Sequence, residues 1–547
     1  MKNGARTIKV ALLTLLFALV YFYLTLPAIN LQEPAFYTFV LTVAAVYTGL
    51  TLFFSGALKQ QEGTLDIKAI IALVRKVAKI PAIVCLALIA IFVVGQIISS
   101  PILRARSFAE ILEVEPRVFA EDVEQIPWDQ IPRLDAVSAA RLGNRTLGEL
   151  ADVVSQFEVA PTYTQINYQG RPVRVAPLEY GDIIKWFNNT RYGLPAFIMI
   201  DMTTHHAEVV RLPQGQWMRY SPSEYFFRNL NRHLRINYPT FMFAEPVFHI
   251  NEDGTPYWVA PRLIRRVGLF GGTDVRGAVL VNAVTGATQY YELHEIPTWV
   301  DRVFSAELLL QQYNWHGSFQ DGFINSILGQ RGVTVTTRGF NYIAFNDDVY
   351  LYTGITSVGA DASIIGFVLI NQRTKEATLY SVAGAEEYAA MASAEGLVQD
   401  LRYTATFPIL LNIEGRPTYF VALKDAMDIV RQYAMVDVEF SQIAVNGHTV
   451  QETERLYREE LLRQGLIDVE AVIGAYYSGV VEEIRTAVIE GNSHFFVRLE
   501  GDTHFYMIDV TENPHVVLLN EGDEVDIYRT QVYVEGNIIP AYRIDIK

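Results

Sequence analysis

Three long apolar runs near the N-terminus constrain this chain more than any other feature, because about 20 apolar residues suffice to cross a bilayer as a helix. The runs extend roughly over residues 10–29, 36–58 and 81–103, and none contains Asp, Glu, Lys or Arg. A cleaved signal peptide is disfavoured for the first run, because a second run follows it at once. The sequence therefore predicts a membrane domain at residues 1–103 with three transmembrane helices.

Lysine and arginine are distributed unevenly among the short segments that flank these runs. The first nine residues contain Lys2, Arg6 and Lys9, and the loop between the second and third runs contains Lys59, Lys68, Arg75, Lys76 and Lys79. The short loop at 30–34 contains none. Because cations concentrate in cytoplasmic loops, we predict a multi-pass plasma-membrane protein with a cytoplasmic N-terminus and an extracytoplasmic C-terminal region.

The basic loop has a helical pattern of its own. Its apolar residues recur at helical spacing and its cations fall elsewhere, the apolar set being Ile67, Ile70, Ile71, Val74 and Val77 and the cations Lys68, Arg75, Lys76 and Lys79. Such a helix lies on an anionic membrane surface, and a helical extension of the third run fits the pattern equally well. The runs lack the ionisable residues that mark transporters, so channel or pump activity is disfavoured.

The charge of the chain separates the membrane segments from the rest. The first 106 residues carry ten Lys and Arg and three acidic residues, a net charge of +7, whereas the whole chain carries −16, which leaves −23 for the remainder. A strongly anionic region repels phosphate backbones, so nucleic-acid binding by most of the protein is disfavoured. The single cysteine, Cys85, lies in the third run. The remainder therefore has no disulfide and no cysteine metal site.

A hairpin signature recurs after the membrane segments. Residues 170–177 and 254–261 share Gly, Pro, Val, Ala and Pro at matching positions, and 415–422 is a further copy with one extra residue. Each copy follows a polar turn after an apolar strand, which predicts a β-hairpin. The turn positions are Gly170, Pro172, Gly254, Pro256, Gly415 and Pro417. We predict another hairpin around Asn346-Asp347-Asp348.

A second signature consists of three apolar residues, then Asp or Asn, two further residues and Thr. It occurs at Asp201 and Thr204, Asn282 and Thr285, and Asn371 and Thr374. The Asp or Asn side chain can close an Asx-turn, and the Thr hydroxyl can bond the same turn. Helix-start patterns at Thr146, Ser221 and Ser318 and an alanine-rich stretch at 385–401 accompany these strands. The predicted unit is helix, strand, hairpin, strand, turn, strand, in about four copies.

The element at 281–286 resembles the PepSY-type module of bacterial envelope proteins and protease propeptides. The stretch from about 107 to 445 is similar to an uncharacterised family of Gram-positive membrane proteins with PepSY-like repeats and a C-terminal OB-like domain. This resemblance implies an extracytoplasmic, non-catalytic module of the bacterial cell envelope and supplies no active site. We accordingly expect tandem PepSY-like α+β repeats over 104–445.

The C-terminal part has a different pattern. Thr449 and Glu452 form a capping box that predicts a helix through Leu462, within a helical linker at 446–470. Five alternating segments in 471–547 predict a small OB-like β-barrel. Phe495, Phe496, Phe505 and Tyr506 are typical of barrels that stack single-stranded bases, but acidic residues outnumber arginines here. Protein contact or capping of the repeats is therefore favoured over nucleic-acid binding.

Sequence patterns for catalysis and metal binding are missing. His205 and His206 with Glu208 are adjacent in a predicted turn, which favours a solvated surface over a metal site. The chain contains no His-Glu-x-x-His or Gly-x-Ser-x-Gly motif, and the glycine-rich segment 268–272 lacks the Lys-Ser/Thr of a phosphate loop. We predict no catalytic, cofactor-binding or metal-binding residues and no cofactor.

The sequence as a whole predicts an α+β protein with three N-terminal transmembrane helices, tandem PepSY-like modules and a C-terminal barrel. The leading hypothesis is a membrane-anchored extracytoplasmic platform for protein interaction or assembly, without catalysis, which contacts the lipid bilayer, other envelope proteins and further copies of itself. One alternative is a regulator of an envelope protease, or an unrecognised hydrolase. Another is single-strand nucleic-acid binding through the barrel.

Overall fold

The computed structural model of the chain is a mixed α+β structure. It describes residues 2–55, 79–125, 131–148, 155–345, 348–359, 363–467, 476–489, 492–510, 513–529 and 537–547. The chain divides into two compact units, one formed by Met1–Val118 with Asp129–Glu386 and the other by Phe119–Trp128 with Glu387–Lys547. The predicted domain boundaries at 103, 445 and 470 remain predictions.

Three helices near the N-terminus are long and apolar enough to span a membrane: Arg6–Thr25, Pro34–Phe54 and Lys79–Ile98. They belong to α1 (Lys2–Thr25), α2 (Pro34–Ser55) and α3 (Lys79–Ile98). Lys79 is the first residue of α3, whereas Lys59, Lys68, Arg75 and Lys76 lie outside the described residues. The predicted surface helix therefore stays a prediction.

Helices α1 and α3 end before the apolar runs that contain them. Helix α1 ends at Thr25 instead of 29, because Leu26 adopts a left-handed conformation with φ 49° before Pro27. Helix α3 ends at Ile98 instead of 103. There Ser100 begins a separate helix, α4 (Pro101–Ala109), by accepting a hydrogen bond from the Ile102 amide. Residues 56–58 of the second run lie outside the described residues.

The first sheet follows β1 (Val114–Arg117), the short helix α5 (Phe119–Asp122) and α6 (Ala136–Gly148). Its strands are β2 (Phe157–Val159), β3 (Thr164–Tyr168), β4 (Arg171–Tyr180), β5 (Ala196–Asp201) and β6 (Ala207–Arg211), with α7 (Ile183–Asn189) between β4 and β5. The strand order is β2-β4-β5-β6, and β3 forms a hairpin with β4.

The second sheet follows a 3-10 turn (Phe226–Arg228) and α8 (Leu230–Asn237). Its strands are β7 (Met242–Phe243), β8 (Val247–Ile250), β9 (Pro256–Val267), β10 (Gly271–Asn282) and β11 (Thr288–Glu292). The order is β7-β9-β10-β11, and β8 forms a hairpin with β9. Strands β9 and β10 have 12 residues each, so their shared hairpin extends well beyond the rest of the sheet.

The third sheet follows a 3-10 turn (Leu293–Glu295), α9 (Ala306–Phe319) and a π-helical turn (Asn325–Gly329). Its strands are β12 (Thr334–Thr336), β13 (Asn341–Phe345), β14 (Asp348–Ser357), β16 (Gly366–Asn371) and β17 (Ala377–Tyr380), and β15 (Ser363–Ile364) pairs separately with β18 (Gly384–Ala385). The order is β12-β14-β16-β17, with β13 on β14. Strand β1 adds to β17 in parallel.

The second unit contains α10 (Glu387–Gly396), a 3-10 turn (Gln399–Leu401) and a fourth sheet. Its strands are β19 (Thr404–Ala405), β20 (Ile409–Ile413), β21 (Arg416–Lys424), β22 (Val430–Asp437) and β23 (Ala444–Gly447), in the order β19-β21-β22-β23 with β20 on β21. Helix α11 (Val450–Arg463) follows, and the Thr449–Glu452 capping box is present at its start.

The C-terminal strands are β24 (Tyr476–Ile489), β25 (Asn492–Leu499), β26 (Phe505–Asp509), β27 (Glu524–Arg529) and β28 (Ile538–Ile546), with a 3-10 turn at Pro514–Leu518. They pair in the order β24-β25-β26-β28-β27, and β27 pairs again with β24. Their inward side chains, including Val497, Ile508 and Ile527, form a core of their own.

Three of the predicted helix starts are wrong. Thr146 lies near the end of α6, where its hydroxyl donates to the Leu142 carbonyl, and Ser318 lies inside α9, which Ser305 caps instead. The helix expected after Ser221 begins only at Leu230, where Asn229 is the N-cap. Capping patterns of this kind also occur inside helices, so tertiary packing decides which of them begins a helix.

Candidate functional site

The predicted Asx-turns have one geometry. Asn282 Oδ1 accepts hydrogen bonds from the amides of Val284 at 3.0 Å and Thr285 at 2.9 Å, and Thr285 Oγ1 accepts from the Ala287 amide at 3.2 Å. The pair Asp201 and Thr204 makes the same three bonds after β5. Asn371 and Thr374 make them after β16. Each Asx side chain thus closes the turn between the last two strands of its sheet.

The residue after each of these threonines is left-handed. His205, Gly286 and Lys375 have φ of 61°, 75° and 70°. Histidine and lysine occupy the place of glycine without changing the backbone path, although a side chain is strained in this region. His205 is half-buried, and burial lowers the pKa of its imidazole.

A fourth turn of this kind escaped the sequence pattern. Asp437, at the end of β22, accepts hydrogen bonds from the amides of Glu439 at 3.0 Å and Phe440 at 2.9 Å. Phe440 stands where the other turns have threonine, so a search for Thr misses it. The three apolar residues before Asp437, residues 434–436, were the available signal.

The hairpin glycines are required by positive φ. Gln169-Gly170 and Glu414-Gly415 both have two consecutive residues with positive φ, as a type I′ turn demands, and Gly254 has φ 76°. The prolines after them, Pro172, Pro256 and Pro417, pair opposite Asn167, Ile250 and Asn412. The twelve predicted turn residues lie in four different sheets, so the structure does not bring them together into one site.

We expect replacement of Asn282 by alanine to lower the free energy of unfolding by about 1–2 kcal/mol, because two turn amides lose their acceptor. Asn282→Asp is the matched control, because Asp201 and Asp437 accept the same bonds in their turns. Pulse proteolysis of the full chain in urea measures both variants. Equal losses for alanine and aspartate would show that these bonds do not hold the turn.

The glycine-rich segment 268–272, expected to be a loop, is the tip of the long β9–β10 hairpin and lies against the membrane helices. Ser99 Oγ accepts hydrogen bonds from the amides of Leu269 at 2.8 Å and Phe270 at 2.9 Å, and donates to the Gly95 carbonyl at 2.6 Å. The Phe270 ring lies 5.1 Å from Phe92 and 5.6 Å from Tyr37, centroid to centroid. We call residues 268–272 the anchoring tip.

The anchoring tip contacts α3 at residues that precede its C-terminal end. Gly95 and Phe92 precede Ile98 by three and six residues, which corresponds to roughly 4.5 and 9 Å along a helix. A Cβ on Gly95 would lie 2.6 Å from the Phe270 ring, so glycine is what admits this ring. A Cβ on Gly271 would lie 2.5 Å from the Ser99 carbonyl oxygen. Two glycines therefore permit the close approach of hairpin and helix.

The loop between α1 and α2 is bonded to α8 and to the segment that leads from α8 into the second sheet. The Ile29 amide donates to the Pro239 carbonyl at 2.8 Å, and Arg235 Nε donates to the Leu26 carbonyl at 3.0 Å. Burial lowers the pKa of the Arg235 guanidinium, and the nearby Glu33 carboxylate opposes that effect. The second sheet is thus fixed to the adjacent ends of all three helices by backbone and side-chain bonds.

A cleft of about 640 Å³ lies beside α4 and β17. Two of its lining residues pair with the buried Asp274 carboxylate, which accepts hydrogen bonds from Lys375 Nζ at 3.0 Å and Arg266 Nε at 3.0 Å, and from Gln312 Nε2 at 3.1 Å. The lining also includes the carboxylates Glu110, Glu113, Glu115 and Glu376. Glu110 pairs with Arg106 at 3.1 Å, and Glu115 and Glu376 pair with Arg117 at 3.1 and 3.6 Å. Within the described ranges, no three His, Cys, Asp or Glu side chains converge to hold a metal.

The C-terminal strands present one aromatic ring between two cations. Arg485 and Arg498 lie 5.0 and 5.3 Å from the centroid of Phe505. Both guanidiniums also pair with Glu483, at 2.7 and 2.6 Å. Tyr506, one of the four aromatic residues typical of base-stacking barrels, is fully buried, and its ring lies 5.5 Å from Tyr477. Paired arginines are poorly suited to the counterion release that drives nucleic-acid binding.

The side chain of Asp502 predicts a pH dependence for this region. Burial by itself raises the pKa of Asp502, but hydrogen bonds from the Tyr506 hydroxyl and from the amide and ring of His504 outweigh it and hold the pKa at about 2. A depressed pKa contributes stability that is present above the unfolded value near 4 and is lost as pH falls toward 2. We expect Asp502→Asn to lower the free energy of unfolding at pH 7. As the pH falls from about 4 toward 2, the free energies of unfolding of the variant and the wild type should converge. Urea titrations of the full chain between pH 7 and 2.5 test this, and a constant difference would contradict it.

No protein-family model and no curated protein sequence matches this chain. Its function is therefore inferred from its own residues and geometry. The strongest feature is the contact between the second sheet and the membrane helices. Its only signal in the sequence is the apolar pair Leu269-Phe270 between glycines.

Proposed function

We propose that the chain is a membrane-anchored extracytoplasmic platform for protein interaction or assembly, without catalysis. The observation that carries the proposal is the docking of the anchoring tip on Gly95 and Ser99. A flexible tether would need only a linker after the third helix. A hairpin bonded to the helix ends instead holds its sheet at a fixed orientation to the membrane, which is what a surface that recruits or assembles partners requires.

The proposed orientation has a cytoplasmic N-terminus and an extracytoplasmic C-terminal region. The second sheet contacts the 26–32 loop and Ser99, which lie at adjacent ends of the helices. Residues 30–34 contain no Lys or Arg, whereas Lys2, Arg6 and Lys9 stand at the start of α1 and Lys79 at the start of α3. The positive-inside rule favours the cytoplasm for the cation-bearing ends.

We also propose that the four sheets are tandem PepSY-like repeats and that the C-terminal strands form an OB-like barrel. The support is that each sheet contains the same antiparallel order: a short first strand, a long strand that also forms a β-hairpin, and two further strands, to which the third sheet adds β1. In each, an Asp or Asn turn precedes the last strand: Asp201, Asn282, Asn371 and Asp437. Repeated modules form extended surfaces, which suit contact with large partners.

The proposed partners are other envelope proteins or a second copy of this chain. The cleft lining includes Glu110, Glu113, Glu115 and Glu376, and a partner that offers lysine or arginine side chains would compete with Arg106 and Arg117 for three of these carboxylates. Complementary charge of this kind chiefly increases association rate and specificity.

Site-specific photocross-linking in intact membranes tests the platform. A photoreactive amino acid at Glu115 or Glu376 is expected to give one discrete, saturable adduct, either with another envelope protein or with a second copy. The same amino acid at Val358, an exposed position away from the cleft, is the control. The proposal fails if both cleft positions give only the control pattern and the purified full chain is a strict monomer. Altered envelope proteolysis on deletion of 104–445, without any adduct, would instead favour a protease regulator.

A further inference from the structure

Two groups of large apolar side chains are exposed next to the membrane helices. The first, which we call the α7 patch, is formed by one face of α7 and the 3-10 turn before α8, and comprises Ile183, Ile184, Phe187, Phe226 and Phe227. The second, the α4 patch, comprises Ile102, Leu103, Ile324, Ile327 and Leu328. Phe187 is 74% exposed and Leu328 is 82% exposed. Clustered exposure of this kind marks an interaction surface.

The α7 patch is continuous with α1. The Phe227 ring lies 6.0 Å from Tyr23, which is in the last turn of α1, and the Arg232 guanidinium lies 4.6 Å from the same Tyr23 ring. Trp186 joins the two halves of the patch, with its ring 5.8 Å from Phe226 and 6.4 Å from Phe187. Lipid that surrounds the end of α1 therefore reaches this patch without a break.

The α4 patch is continuous with α3 in the same way. Helix α4 begins at Pro101, just after α3 ends at Ile98, and its Phe108 packs on Trp315 and Phe319 of α9 at 4.9 and 6.3 Å. Phe319 in turn lies 6.2 Å from Phe323, which immediately precedes Ile324. The exposed side chains of α4 and of the π-helical turn thus flank the end of α3.

We propose that both patches insert into the headgroup and upper acyl region of the bilayer leaflet at this end of the helices. Arginines lie close in sequence to each patch, Arg191 and Arg228 near the first and Arg104, Arg106 and Arg331 near the second, and Arg106 pairs with Glu110 at 3.1 Å. Apolar and aromatic side chains flanked by cations are the chemistry of an interfacial membrane surface. The anchoring tip, which reaches roughly 4.5–9 Å below the end of α3, already places part of the same unit at that depth. The first unit accordingly rests on the membrane, whichever side of it the unit occupies.

Spin labels on the full chain in nanodiscs of phosphatidylcholine and phosphatidylglycerol test the insertion. In a Cys85→Ser background, which removes the only native thiol, single cysteines replace Phe187, Phe227 or Leu328, and Val358, an exposed residue that belongs to neither patch, is the control position. The label's collision rates with two paramagnetic reagents are measured: oxygen, which concentrates in lipid, and a neutral nickel chelate, which stays in water. We expect the ratio of oxygen to nickel collision rates to be at least fivefold higher at the three patch positions than at the control.

Two results would overturn the proposal. Ratios at the patch positions equal to the ratio at Val358 would show that the patches face water. Protection from both reagents, with dipolar broadening between copies or with slow label motion, would show that protein covers the patches instead of lipid. Because these side chains are largely exposed, their replacement removes few internal contacts, and unchanged thermal unfolding of each labelled variant verifies its fold.

Discussion

Replacing Gly271 by valine is expected to detach the anchoring tip from the membrane helices. A Cβ at this position would lie 2.5 Å from the Ser99 carbonyl oxygen and 2.9 Å from the Val267 carbonyl oxygen, and neither backbone atom can move aside without shifting its element. The tip would then lose both amide bonds to Ser99 and the contact of the half-buried Phe270 ring with Phe92. The cost is on the order of 2–3 kcal/mol, mainly from the two lost hydrogen bonds at about 1 kcal/mol each.

Hydrogen exchange in the full chain in nanodiscs measures this loss directly. The amides of Leu269 and Phe270 are bonded to Ser99 Oγ, so their exchange is expected to accelerate by up to about a hundredfold, at 1.4 kcal/mol per factor of ten. Gly148→Ala is the matched control, because its Cβ would have no atom within 4 Å. Unchanged exchange at 269–270 in Gly271→Val would show that the tip is not docked.

A double-mutant cycle tests the contact between Gly95 of α3 and Phe270 of the anchoring tip. Gly95→Ala alone should destabilise docking, because its Cβ would meet the Phe270 ring at 2.6 Å. In a Phe270→Ala background the same change should cost much less, since the ring it displaces is gone. Residues in contact show coupling energies of about 0.5–3 kcal/mol. If the effects of Gly95→Ala and Phe270→Ala on docking were additive, Phe270 would not contact Gly95.

Replacing Asp437 by alanine is the second change with a large expected effect, and it acts on the second unit. The Asp437 carboxylate is fully buried. It accepts hydrogen bonds from Arg416 Nε at 2.8 Å, from the Tyr457 hydroxyl at 3.0 Å and from two turn amides. Its removal leaves Arg416 with Glu439, at 2.8 Å, as its remaining ion-pair partner. We expect a loss of about 2–4 kcal/mol in the free energy of unfolding of this unit, because Arg416, the Tyr457 hydroxyl and two turn amides lose hydrogen bonds to a charged, buried acceptor.

Two further variants separate the causes of that loss. Asp437→Asn should retain the turn, because Asn282 and Asn371 accept the same amide bonds, and should lose only the charge pairing with Arg416. Asp545→Ala removes an exposed ion pair with Arg543 and should cost less than about 1 kcal/mol. Pulse proteolysis of the full chain in urea, with cleavage followed within β21–β22, measures the free energy of unfolding of Asp437→Ala, Asp437→Asn and Asp545→Ala. A loss at Asp437→Ala no larger than at Asp545→Ala would refute the buried network.

Parts of the candidate site were predictable because their chemistry is local. The Asn282 and Thr285 turn depends on side chains that bond amides two or three residues away, and the Thr449 capping box depends on a partner three residues away. Asp437 escaped because its turn tolerates Phe440 in place of threonine. The Leu269-Phe270 tip escaped because its partners, Ser99 and Phe92, lie about 170 residues earlier in the chain.

The three apolar helices, the hairpins and the Asx-turns follow from local sequence, because hydrophobic length, strand alternation and turn chemistry act over a few neighbouring residues. Contacts between distant segments set where α1 and α3 end, which of the capping patterns begin helices, and that β1 joins β17 in parallel. They also dock a glycine-rich turn on Gly95. These features depend on packing between segments far apart in the chain, where close approach and buried bonds outweigh local preference.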